Sequence, residues 1–134
     1  MTTVLKVRSY YSSDVADLPG WVPASADEVY YPLEIEIGEA DRPGAHVFCL
    51  MIATPQGLAE HHRGRALQAF RSNQARTPGM GRKALLVIDP YRWTAVRERI
   101  DRQVAECQRE SWEASLACLR EAFFWEYEGV GYRP

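Results

Sequence analysis

The chain has 134 residues, 46% of them hydrophobic and 25% charged, with a formal net charge of −2. That length suits one domain over 1–134 whose core needs no metal or disulfide staple, and the composition is too apolar for an intrinsically disordered protein. The small total hides a segregation, with −6 on residues 1–41, +6 on 42–83 and −2 on the remainder, so the chain can present a field of either sign to a partner.

The opening MTTVLKVRSYY runs straight into strand-like alternation without a basic leader or an apolar signal core, which leads us to expect a cytoplasmic protein. The longest apolar stretch, Val47 to Ala53, falls far short of the roughly 20 residues a membrane helix requires, so no membrane partner is expected. Cys49, Cys107 and Cys118 are odd in number and set among apolar neighbours. This pattern reads as reduced core thiols on which function does not depend.

From Val4 to Tyr11, Leu5 and Val7 alternate with Lys6 and Arg8, the period of a half-buried strand. Ser12 to Glu28, with Pro19, Gly20 and Pro23 around Trp21, has turn chemistry and reads as a loop anchored by Trp21. Tyr31, Leu33, Ile35 and Ile37 then face one way and Pro32, Glu34 and Glu36 the other, up to Gly38. After the turn at 39–44, His46 to Thr54 reads as a strand covered on both faces that forms a hairpin with its predecessor.

Leu58 to Phe70 has room for one or two helical turns, weakened by Gly57 and Gly64, and Arg71 to Gly81 reads as a polar connection. Lys83 to Ile88 is a short apolar strand, and Asp89-Pro90 offers an N-cap followed by proline at the first helical position. Trp93, Val96, Ile100, Val104 and Cys107 recur at helical spacing, so a helix is predicted from Pro90 to about Arg109. A second helix begins at the N-cap candidate Ser111 and carries Trp112, Leu116, Leu119 and Phe123 on one stripe. Strands followed by a helical pair make an α+β domain: a mainly antiparallel sheet of about four strands with two C-terminal helices packed on one face.

Few residues promise chemistry. His61 and His62 are adjacent, so their side chains diverge on a helix or a strand, and no Cys or acid stands at zinc-ligand spacing from them. A Cys–His nucleophilic pair or a small hydrolase built on either histidine lacks an orienting group. Gly79-Met80-Gly81-Arg82-Lys83 precedes a strand and lacks the full phosphate-loop pattern. No catalytic residue, metal or cofactor is therefore expected.

Arg63, Arg65, Arg71, Arg76, Arg82 and Lys83 offer an alternative, a nucleic-acid-binding module over 63–83, but without interleaved aromatics a solvated basic loop is the plainer reading. The acids are more suggestive. Glu34 and Glu36 share the polar face of a strand, Glu39 and Asp41 follow in the turn, and Glu126 and Glu128 stand near the end of the chain. An ordinary polar face explains them; so does an anionic surface that docks onto a basic groove and occupies the places of phosphates.

The run Ser111-Trp112, Leu116, Leu119, Phe123-Phe124-Trp125-Glu126-Tyr127-Glu128 and Tyr132 resembles the ending of the immunity protein 8 family of bacterial polymorphic-toxin and contact-dependent inhibition systems. The Glu-Ile-Gly ending of the strand Tyr31 to Gly38, Thr54-Pro55 followed by Leu58, and Asp89-Pro90-Tyr91 agree with that family's layout. Gly57, where the family often carries a tryptophan, and the insertion-like Arg71 to Gly81 depart from it. The resemblance implies a cytoplasmic inhibitor without catalytic residues, encoded beside a toxin, that binds the C-terminal domain of that toxin; the acidic surface suits a nuclease as the toxin, and a one-to-one heterodimer is the expected complex. Trp125 and Tyr127 read better as anchors of the tail than as the interface, which leaves the acids as the expected toxin contact.

Overall fold

A computed structural model describes residues 2–61 and 85–127, with His61 as backbone only. His62, Glu128, Tyr132 and the basic run from Arg63 to Lys83, with the phosphate-loop-like glycines, lie outside the described residues.

β1 (Leu5–Tyr11) pairs antiparallel with β2 (Tyr30–Glu39), and β2 pairs antiparallel with β3 (His46–Ala53). After α1 (Pro55–His61), the far edge of β3 is shared by β4 (Leu85–Val87), parallel along Met51 to Ala53, and β5 (Phe124–Trp125), antiparallel at Phe48 and Cys49. The sheet is thus five-stranded and mixed where about four strands were expected. The additional strand is β5, whose two residues are too few to display a period.

The alternation in β2 sets the core. Tyr31, Leu33, Ile35 and Ile37 are at most 1% exposed, and Phe48, Leu50 and Ile52 face them from β3. α2 (Trp93–Glu106) lays Val96, Ile100 and Val104 on this layer, and α3 (Trp112–Ala122) lays Leu119 there, followed by Phe123, edge-on to Phe48 at 6.3 Å. Both helices therefore cover one face of the sheet, as the order of elements predicts.

Ser111 caps α3 as expected, its Oγ accepting from Ala114 N at 3.1 Å with Glu113 in the first turn. Asp89 does not cap α2. The Asp89–Pro90 peptide is cis, and the helix begins at Trp93 behind an extended Arg92 without a side-chain cap. The chain instead delivers Tyr91 to the core, where its N–H donates to Ala26 O at 3.0 Å and its hydroxyl lies 2.9 Å from that of Tyr31. Trp21 packs edge-on against both rings, at 5.6 Å from Tyr31 and 5.3 Å from Tyr91, and so anchors the 12–28 loop as predicted.

The cysteine expectation fails. Cys107, fully buried at the end of α2, is bonded to Cys118 on α3, and only Cys49 is a free thiol. The sharp bend between the helices leaves their Cα atoms 5.3 Å apart, within disulfide reach; eleven positions of sequence gave no hint of that angle.

Candidate functional site

One irregularity decides what the sheet face opposite α2 and α3 carries. Val7 is in register with Ile37 on the core side, but the pairing slips between Val7 and Ser9, so Tyr10 takes the core side opposite Ile35. Tyr10 packs edge-on to Trp93 at 5.2 Å and donates its hydroxyl to Asp101. Arg8, in the bulge, reaches round the hairpin end to Glu39 O at 2.9 Å and Arg42 O at 2.7 Å. A one-residue slip reverses every later side chain. Ser9 and Tyr11 consequently join the face turned away from α2 and α3.

On that face two rows run across the strands. Tyr11, Glu34, Cys49 and Phe124 form one; Ser9, Glu36 and Val47 form the other. Glu34 and Glu36 are exposed, Tyr11 is 57% exposed, and Phe124, Val47 and Cys49 are half-buried. Ser9 Oγ donates to Glu36 Oε1 at 2.9 Å and fixes that carboxylate. Glu126 continues the second row: its N–H donates to Val47 O at 2.9 Å, and its side chain accepts from Val47 N. Neither row contains a Lys or Arg among the described residues. Toward α1 the same face closes, with Met51 and Ala53 buried.

The expected acids are therefore only partly gathered. Glu34, Glu36 and Glu126 share one surface, whereas Glu39 stands in register with Leu5 at the strand end and Asp41 is exposed in the turn beyond it. Glu128 lies outside the described residues. Burial first, and then the negative charge of Glu34, push the Cys49 thiol up to about 11, so it is protonated at neutral pH and a poor nucleophile. Among the described residues no group of His, Cys, Asp and Glu is assembled that could hold a metal ion. This face offers charge and aromatic contact for recognition.

The aromatic ending is built around a histidine that sequence reasoning passed over. His46 Nδ1 accepts from Trp125 Nε1 at 3.1 Å, and the His46 ring stacks on that indole at 5.9 Å. Trp112 at 5.0 Å and Tyr127 at 5.9 Å close round the same imidazole. The Arg120 guanidinium lies 5.1 Å over the indole of Trp125, which is only 3% exposed. These rings hold Trp125 and Tyr127 against β3, as the anchor reading expects. The available signal was strand parity, which puts His46 on the same side as Phe48.

The family model for immunity protein 8 matches residues 5–130, covering both rows and the aromatic anchor. No curated protein and no solved structure matches the chain.

Proposed function

We propose a toxin-neutralising function on one premise: the chain belongs to the immunity protein 8 family. It binds the C-terminal domain of a cognate bacterial toxin, delivered by a neighbouring cell, as a one-to-one complex in the cytoplasm. Inhibition is by occupation, without catalysis. The contact is the sheet face opposite α2 and α3 with Glu34, Glu36 and Glu126, extended at the rim by Glu39 and Asp41, and Glu128 joins it on sequence grounds alone.

The observation that carries this reading is the run of carboxylates and aromatics in register across Tyr11–Glu34–Cys49–Phe124 and Ser9–Glu36–Val47. A rigid sheet presents these groups with little entropy left to lose, and an anionic field speeds association with a basic partner. A nuclease is the toxin class this charge suits, because its nucleic-acid groove is basic.

The test is co-expression with the toxin domain encoded beside this gene. Protection of the host, with recovery of an equimolar complex, supports the reading; a toxin domain that stays lethal and purifies alone contradicts it.

A further inference from the structure

Two hydrogen bonds dock the start of β1, and both acceptors lie on the link between α2 and α3. Gln108 Oε1 accepts from Leu5 N at 2.9 Å, and Arg109 O accepts from Thr3 N at 2.6 Å. Arg109 N in turn donates to the buried Ser115 Oγ at 3.0 Å. Gln108, Arg109 and Ser115 all fall inside the chain segment closed by the Cys107–Cys118 bond. The bridge thus encircles the groups that hold the first strand, the strand that carries Ser9 and Tyr11 on the candidate face.

We propose that the Cys107–Cys118 bridge is a redox-responsive clamp: closed, it fixes the helix link and keeps β1 docked; reduced, it lets the link relax and the start of β1 detach. The cytoplasmic placement made above supports a switch over a permanent staple, because disulfides among cytoplasmic thiols are characteristically transient or sensing. The two sulfurs are unequally placed. Cys107 is fully buried, while Cys118 is partly open and lies 3.6 Å from the Arg109 guanidinium.

A reducing dithiol therefore attacks Cys118 Sγ as its thiolate, forming a mixed disulfide there, and Cys107 leaves as a thiolate that takes a proton. The second thiolate of the reagent then closes on the reagent's own sulfur and expels Cys118 as a thiolate, which the adjacent guanidinium favours. The net exchange is one protein disulfide and one dithiol for two protein thiols and one cyclic disulfide. A disulfide oxidant reverses it.

The test uses the purified full chain, oxidised with oxidised glutathione or reduced with dithiothreitol, and is independent of any toxin. Alkylation of the oxidised protein in denaturant should find one thiol, Cys49, and three after reduction. Reduction should lower Tm by roughly 10 °C. It should also speed amide exchange at Thr3 and Leu5 about tenfold or more while the core amides of Leu33 and Leu50 change far less. Cys118→Ala in oxidising buffer should behave like the reduced protein and ignore dithiothreitol, and Cys49→Ala should respond as the wild type does. Three thiols after oxidation, unmoved exchange at Thr3 and Leu5 on reduction, or a Cys118→Ala protein that still responds to dithiothreitol would each overturn the clamp.

Discussion

Trp125 donates its indole N–H to His46 Nδ1 at 3.1 Å, which ties the short last strand to the first residue of β3. This bond requires the His46 tautomer that keeps Nδ1 unprotonated. His46→Phe retains a ring among Trp112, Trp125 and Tyr127 but removes the acceptor, and should cost about 1–2 kcal/mol. His46→Ala also removes that ring and should cost more. Urea unfolding midpoints at a common m-value measure both.

Gly57 stands where a side chain does not fit. A Cβ at this point would stand 2.0 Å from Val29 O and 2.6 Å from its carbonyl carbon, because α1 lies directly on the backbone that enters β2. Thr54 holds the two together, accepting from Val29 N at 2.9 Å and from Gly57 N at 3.1 Å through Oγ1. Gly57→Ala should therefore destabilise by about 3 kcal/mol, and thermal unfolding reads it directly.

The slip at Arg8 absorbs one surplus residue of β1. Deleting Arg8 leaves Val7 opposite Ile37, Ser9 opposite Glu36 and Tyr10 opposite Ile35, so Tyr10 should keep its place against Trp93 and Tyr11 its place beside Glu34. The deletion and Arg8→Ala both lose the guanidinium contacts with Glu39 O and Arg42 O, and each should cost under about 1 kcal/mol. Denaturant unfolding of the two variants checks this; a deletion far more costly than Arg8→Ala would show that the bulge itself is required.

Cys49 predicts an alkaline weakness. Its thiol rises from 9.0 to about 11 on folding, so the unfolded chain releases this proton first. Its contribution to stability is whole below the unfolded value and is lost as pH climbs from 9.0 to about 11. The unfolding midpoint should therefore fall across that interval less steeply in Cys49→Ala than in the wild type, leaving the shared fall due to the buried tyrosines.

Wherever one residue's neighbours determined its structure, the sequence was a sound guide. The alternation of Tyr31, Leu33, Ile35 and Ile37 identified β2 and its acidic reverse side, and Ser111 with Glu113 marked a helix start. Asp89-Pro90 was ambiguous, since the same pair serves a cap or a turn, and the structure takes the turn, with Tyr91 packed against Trp21 and Tyr31. The bulge at Arg8 leaves no mark in composition. Hence the placement of Tyr11 beside Glu34, and the separation of Glu39 from Glu36, became visible only in the sheet register. The Cys107–Cys118 pairing depended likewise on an angle between helices.

The central claim is that Glu34 and Glu36 guide a basic toxin surface onto the sheet face opposite α2 and α3. The direct measurement is the association rate of Glu34→Lys/Glu36→Lys with the cognate toxin domain at low ionic strength, beside the wild type. A fall of about tenfold or more, shrinking as salt is added, is the predicted result. Equal association rates at low salt, in a folded variant, would contradict the account and remove this face from the interface.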